Sequence, residues 1–534
     1  MTEYRRTSGL TMPDAGTLNT ARLSWPLLRA NLAPFERLDR IPRAMLAAWP
    51  YGSGLLAAIA ASAARYPHAP AIVCDDEQVS YQELWRGSAA LAAALADNGV
   101  TAEGRVGILC RNSPWFAYSL LAVARLGADV VLLNTGFGPT QLRDTILAEG
   151  IDVVLHDDEF VETVGATKSL PVGQLRQIVN NADARRSRSR PPRQSRLVIL
   201  TSGTTGRPKG AARSSGGAAS QGVSALLGKV PLRVRDTLVI PAPFFHAWGL
   251  TGLLIGLGLS GTVVTSRRFD AAEVLEQIDT HHADALLVVP TMLQRICSLP
   301  APELARFETR SLRVIAASGS AIPAPLVTEV LDRFGSVLHN VYGSTEVATA
   351  TVATPRDLRA APSTAGRPAT GVRVAVLDAD GSPVEAGTTG RIFVGNAARF
   401  DGYTGGEDSP EAVHGLVATG DLGHFDHRGL LFIDGRADDM IVSGGENVYP
   451  SEVEHLLNQH PDIEEAVVVG IDDETFGRAL KAVIVLKHGR RTEPETLKVY
   501  VADHLARYKV PRAFEFRDEL PRTATGKILR RELV

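Results

Sequence analysis

Apolar and polar positions follow two rhythms along the chain. From about residue 53 to 160, Ala-rich stretches of helical spacing alternate with short apolar runs such as RVGILC (105–110) and ADVVLLN (128–134). This alternation predicts helices layered on a mostly parallel sheet, an α/β body. After about residue 360 the runs become short and are separated by Gly, Pro and Asp turns, as in GVRVAVLDADGSPV (371–384), TGRIFVG (389–395) and GLLFIDG (429–435). That pattern predicts a hairpin-rich, distorted β-barrel module closing a large N-terminal domain. Beyond Gly435 helix and strand alternate again, with EEAVVVGI (464–471) and LKAVIVLK (480–487) as strands and 494–507 as a helix. The expected organisation is an extension at 1–50, a large domain at 51–435 and a small α/β domain at 436–534.

Three segments need separate treatment. Between Leu238 and Ser266 only His246 could carry charge, but Pro241, Pro243 and Gly249, Gly252, Gly256, Gly258 and Gly261 interrupt the run. A buried helix followed by a strand is expected there, not a membrane span. The stretch ARLSWPLLRANLAPFERLDR (21–40) is amphipathic. It is expected to pack on the body of the protein, with peripheral contact to a membrane surface as the alternative. Residues 181–196 hold six arginines among Ser, Pro and Asn, which predicts a solvated linker.

At 534 residues the chain exceeds the roughly 250 to 300 at which one core stops growing, in keeping with two domains. A net charge of -3 argues against a nucleic-acid surface, and Cys74, Cys110 and Cys297 stand too far apart for a paired zinc site or a disulfide framework. The first twenty residues contain Glu3, Arg5, Arg6 and Asp14 without an apolar core, so no secretion signal is read and a cytoplasmic location is expected. Oligomeric state leaves no legible trace.

The run RLVIL (196–200) enters TSGTTGRPKG (201–210), rich in hydroxyls and glycine and ending in a lysine. Glycines let backbone N–H groups approach an anion, hydroxyls add donors and Lys209 adds charge, so the loop suits a polyphosphate. It is not a Walker A loop: the spacing fails, and Gly210 stands where a metal-binding hydroxyl would be needed.

TSGTTGRPKG resembles the signature loop of the adenylate-forming superfamily, which includes acyl-CoA synthetases, firefly luciferase and peptide-synthetase adenylation domains. The resemblance spans roughly residues 53–534 and extends to PFFHAWG from Pro243, ASGSAIP from Ala317, NVYGSTE from Asn340, TGDLG from Thr419, DGRADDMIVSGGENVYPSEVE from Asp434 and LPRTATGKILRREL from Leu520. It implies an acid:coenzyme A ligase using ATP, Mg2+ and coenzyme A. Thr201, Ser202, Gly203, Thr204, Thr205, Gly206 and Lys209 would hold the phosphates. Asn340, Tyr342 and Gly343 would form one wall of the adenine slot, and Gly319, Ser320 and Ala321 the other. Thr345 would meet the α-phosphate, Glu346 the magnesium, and Asp421 the ribose hydroxyls, with Arg436 beside them. Lys527 would bridge the acyl carboxylate and the α-phosphate. Asp438 would be the hinge about which a mobile small domain swings, and Ser443, Gly444, Gly445 and Glu446 would face coenzyme A. The acyl pocket would be bordered by His246, Gly249, Ala316, Ala317, Val347 and Ala348.

Those pocket residues are small or apolar, and none is the Asp or Arg that would fix an amino acid's charges. An apolar acid is expected, medium- to long-chain fatty acids being favoured over acetate and aryl acids remaining open. The rivals are an acyl-AMP ligase that loads a carrier protein and a non-catalytic acyl- or nucleotide-binding scaffold on the same fold. The intact GGENVYP favours coenzyme A, and retention of Lys209, Glu346, Asp421 and Lys527 favours catalysis. AARSSGG after Gly210 departs from the family pattern by lacking the His often found there.

Overall fold

The structure, a computed structural model, describes residues 40–52, 54–181, 190–202, 208–214, 217–396, 398, 400–404, 410–437, 441–443, 446–448, 450–473, 477–505, 509–523 and 528–534. The large domain is built on two wide sheets. One has nine strands, running from Arg367–Pro368 through Ala348–Ala353, Leu338–Ser344, Val314–Ala317, Ala285–Val288, Thr237–Val239, Thr262–Thr265 and Pro70–Cys74 to Glu77–Ser80. Its interior pairs are parallel and its two ends antiparallel. The other has seven, in the order Gly402–Tyr403, Pro208–Ser214, Arg196–Ser202, Asp129–Leu132, Arg105–Leu109, Val153–His156 and Ser169–Pro171. The predicted strands RVGIL and DVVL are parallel neighbours in it, Val106 pairing with Val130.

Helix Pro114–Leu126 shows why the two sheets form one body. It is apolar on nearly every side, every residue from Pro114 to Arg125 is buried, and it touches strands of both sheets. A helix hydrophobic all round is stable only when enclosed. The Leu238–Ser266 run gives the expected helix, Ala247–Gly258, and strand, Thr262–Thr265. No helix among the described residues is long and apolar enough to cross a membrane.

The segment after residue 360 forms the expected antiparallel module of five strands, Arg373–Leu377, Gly390–Gly395, Ala412–Val413, Leu416–Phe425 and Leu431–Arg436. Its last strand ends at Arg436, which pairs with Asp421. The small domain has its own core around Val453, Leu457, Val468, Ile484 and Val501. Its three-stranded sheet is Ile463–Asp473, Gly477–Leu486 and Ala513–Phe516, and the helix expected at 494–507 runs Pro494–His504.

One expectation is corrected and another is met only at the edge of its segment. The arginine run is not wholly solvated: Arg193 and Arg196 converge on buried Asp129 at 2.9 and 2.8 Å and hold its carboxyl below the usual carboxylate range against the opposing effect of burial. Residues 21–39 of the amphipathic stretch lie outside the described residues; helix Arg40–Ala48 and the turn Trp49–Tyr51, which follow it, pack in part. Tyr51 meets Trp85 edge-on at 5.4 Å, while Met45, Leu46 and Trp49 face solvent.

Candidate active site

One cavity of about 2560 Å³ runs between the sheets of the large domain and the facing surface of the small domain. It exceeds an ordinary ligand pocket of roughly 300 to 1,000 Å³ because it includes the cleft between the domains. The residues expected to meet adenine and ribose line it. Strand Leu338–Ser344 presents Asn340, Tyr342 and Gly343 to the cavity, and the segment after the adjacent strand Val314–Ala317 presents Gly319, Ser320 and Ala321. The Tyr342 hydroxyl donates to Asp421 Oδ2 at 2.6 Å, and Asp421 N–H donates to Thr419 Oγ1 at 3.1 Å. Burial, reinforced by the Asp421 charge, pushes the Tyr342 phenol well above its ordinary pKa, so it stays a donor. Arg436 lies 3.5 Å from Asp421 Oδ1. The Asn340 amide donates to the Thr364 carbonyl at 3.2 Å.

Gly343 is required by a close backbone approach. A Cβ there would lie 1.9 Å from the Ala348 carbonyl oxygen. Ala348 ends a tight turn in the left-handed region, φ 54°, and Ser344 Oγ accepts the N–H groups of Glu346 and Val347 at 3.2 and 3.3 Å. The turn delivers Thr345 and Glu346 to the cavity. Glu346 Oε1 accepts from the Tyr403 hydroxyl at 3.0 Å.

The phosphate loop is the tip of a hairpin. Strands Arg196–Ser202 and Pro208–Ser214 pair antiparallel down to Ser202 opposite Pro208, with Thr201 opposite Lys209. Lys209 faces the cavity, 5.6 Å from the centre of the Tyr403 ring. Gly203, Thr204, Thr205, Gly206, Asp438, Gly444, Gly445 and Lys527, and the side chains of Thr201, Ser202, Ser443 and Glu446, lie outside the described residues. On the small domain Thr523 and Ile528, which flank 524–527 in sequence, line the same cavity as Tyr342 and Asp421.

Part of the cavity wall is apolar. His246, Trp248 and Ala348 line it, Trp248 donating to the Val288 carbonyl at 3.1 Å. His246 stands at the N-cap of helix Ala247–Gly258 without a side-chain capping bond; its Nε2 is buried and has no hydrogen-bond partner among the described residues, and burial lowers its pKa to about 4. The remaining acyl-pocket candidates sit in the surrounding core. Ala316, Ala317 and Val347 are buried, and Gly249 is a packing position, where a Cβ would lie 2.2 Å from the Pro243 carbonyl oxygen.

The sequence reading missed Arg213 and Tyr403. Arg213 lines the cavity and donates from Nε to the Thr345 carbonyl at 3.0 Å. Their signals were an arginine four residues beyond Lys209 in a strand otherwise of small residues, and an aromatic in FDGYT (400–404).

Among the described residues no cluster of three His, Cys, Asp or Glu side chains could hold a metal. Glu346 alone fits magnesium, which binds through one or two carboxylates together with substrate phosphates and water.

A parallel-sheet body, the Tyr342–Asp421 pair, a hydroxyl-rich hairpin sequence and a second domain on the same cavity are the features of an adenylate-forming enzyme. Comparison with known proteins agrees: residues 59–404 match the AMP-binding enzyme model and 452–527 the AMP-binding enzyme C-terminal domain, so the chain belongs to that family. It is 34% identical to a feruloyl-CoA synthase of an Amycolatopsis species, across 88% of this chain and 96% of the relative. It is 32% identical to the fatty acid–acyl-carrier-protein ligase ScoC of Streptomyces coeruleorubidus, across 88% and 93%. The solved o-succinylbenzoate CoA synthetase of Bacillus subtilis, in complex with an acyl-adenylate intermediate, superposes with a TM-score of 0.78 at 29% identity over 89% of this chain and 97% of that one. The CoA ligases of this family use ATP, Mg2+ and coenzyme A.

Proposed function

We propose that the protein is an acid:coenzyme A ligase that activates an apolar carboxylic acid as its acyl-adenylate and transfers the acyl group to coenzyme A. The observation that carries the reading is the continuity of one cavity from Tyr342 and Asp421, past Thr345, Glu346 and Lys209, to the apolar wall at His246, Trp248 and Ala348. A nucleotide at one end and an acid at the other would meet at Thr345.

In the first half-reaction a carboxylate oxygen of the acid attacks the α-phosphorus of ATP, and pyrophosphate leaves. Two anions must approach, so catalysis rests on alignment and on charge neutralised in place. Tyr342 orients the adenine, Asp421 accepts the ribose hydroxyls and Thr345 donates to the α-phosphate. Lys209 holds the departing phosphates, and Lys527 balances the charge developing between acid and phosphate. Glu346 would hold magnesium, which supplies electrostatic screening of the phosphate oxygens. In the second half-reaction the thiol sulfur of coenzyme A attacks the acyl carbon and AMP leaves, with the backbone around Gly444 and Gly445 facing the pantetheine arm after a swing about Asp438.

Aryl acids are the leading substrate class, in place of the fatty acids favoured by sequence. Support comes from the feruloyl and o-succinylbenzoate relatives and from the His246 and Trp248 rings at the apolar end. The second reading is a fatty acid delivered to a carrier protein, which the ScoC likeness favours.

Aryl and fatty acids assayed with ATP and Mg2+ for pyrophosphate release, with and without coenzyme A, separate these readings. The expected result is thioester on aryl acids. Acyl-AMP accumulating without thioester supports carrier-protein loading. No adenylation on either acid class counts against the proposal.

A further inference from the structure

Arg213 is a cation of this cavity to which the roles above give no part. It lies on strand Pro208–Ser214, where the two-residue alternation puts Lys209, Ala211 and Arg213 on one face, the two cations about 13 Å apart. Arg213 approaches the Thr345–Glu346 turn from behind, donating from Nε and from Nη2 to the single carbonyl oxygen of Thr345. The carboxylates of Glu346 and Asp401 support its charge against the cost of burial.

Tyr403 completes a bracket around the same turn. Its strand, Gly402–Tyr403, pairs with Ala212 and Ala211, and Asp401 N–H donates to the Ala212 carbonyl at 2.8 Å. The Phe400 N–H donates to the Glu346 carbonyl at 3.0 Å, and the Tyr403 hydroxyl to Glu346 Oε1 at 3.0 Å. Backbone and side chain of Glu346 are therefore held by one short segment, and the backbone of Thr345 by Arg213. The geometry fixes the chain that carries the Thr345 hydroxyl and the Glu346 carboxylate and holds one oxygen of that carboxylate, while the hydroxyl takes no part in these contacts.

We propose that Arg213 and Tyr403 are positioning residues for adenylation, which set the Thr345 hydroxyl and the Glu346 carboxylate in register before substrate arrives. The inference rests on the ligase reading. Preorganised groups lower a barrier because they need no rearrangement as charge develops. Losing this bracket should therefore lower turnover more than affinity for the acid.

The test uses the full-length enzyme and its Arg213→Leu, Arg213→Lys and Tyr403→Phe variants. Acid-dependent ATP–pyrophosphate exchange is measured across a Mg2+ titration, and ATP binding by calorimetry with and without Mg2+. Arg213→Leu is expected to lower kcat about tenfold or more with KM for the acid within about twofold, and Arg213→Lys to restore part of it by returning charge without the fork. Tyr403→Phe is expected to raise the Mg2+ needed for half-maximal exchange and to shrink the Mg2+-dependent gain in ATP affinity, leaving Mg2+-free binding unchanged. Variants that melt like the parent and keep its kcat and Mg2+ dependence overturn the inference. So does a loss that follows melting temperature alone, without rescue by lysine. If the parent enzyme exchanges no acid, the ligase reading fails, while the calorimetric Mg2+ comparison still decides whether Tyr403 positions Glu346.

Discussion

The two ends of the cavity are built by opposite means. At the nucleotide end the named polar side chains are tied before any ligand arrives: Tyr342 to Asp421, Asn340 to Thr364 and Glu346 to Tyr403. At the end proposed for the acid the wall is apolar, and His246 Nε2 is buried without a partner among the described residues. A site for an invariant ligand such as ATP can be rigid and fully hydrogen-bonded. A site for the variable acid is defined by shape and by few polar groups. The first kind announces its chemistry, whereas the second leaves its ligand to be found by experiment.

The contrast can be tested from its strongest element downward. Glu346→Gln removes the carboxylate assigned to magnesium and should reduce adenylation on the order of 10²- to 10³-fold, as expected for removal of one preorganised charge-stabilising group. A variant retaining more than half the parent's pyrophosphate exchange would remove Glu346 from the metal role. Gly343→Ala forces a methyl group against the Ala348 carbonyl, and a loss of about 3 kcal/mol in urea unfolding is expected from such overpacking. An unchanged midpoint would mean that the turn yields readily.

His246 supplies the next test. Its folded pKa, about 4, lies below the ordinary 6.5, so the unfolded chain takes up this proton first as pH falls. Its contribution is thus present above pH 6.5 and lost as pH falls from there to about 4, a total of roughly 3 kcal/mol at 1.36 kcal/mol per unit. Ring signals followed by NMR should remain those of neutral imidazole at pH 6. A midpoint near 6.5 would show that water reaches the acyl end. The smallest effect belongs to Tyr342→Phe, which removes one hydrogen bond worth about 1 kcal/mol and should raise KM for ATP about fivefold without changing KM for the acid. An equal rise in both would mean that the two ends are not separable.

The same contrast governed what the sequence disclosed. Asn340, Tyr342, Asp421 and Lys209 belong to polar strings whose spacing has few explanations, and all four line the cavity. Ala316, Ala317 and Val347 are instead buried in the core. A small apolar residue satisfies a core and a pocket equally well, so its side of the boundary depends on packing that no local pattern encodes. Arg213 was hidden for a related reason: its meaning depends on which face of the strand meets the Thr345 turn, a tertiary fact. The fate of Arg193 and Arg196 likewise depended on Asp129, more than sixty residues away in sequence. The broad layering of helices on sheets and the hairpin-rich module were legible, because periodicity reports secondary structure directly.

The contact between Gly343 and Ala348 has a consequence for anyone redesigning this enzyme. Gly343, beside Tyr342, and the cavity-lining Ala348 share one backbone crossing with no room for a methyl group on residue 343. Any side chain placed at position 343 therefore presses on the backbone of the turn at 348. Libraries aimed at new acids should vary the helix side of the pocket, around His246 and Trp248, and leave the turn alone.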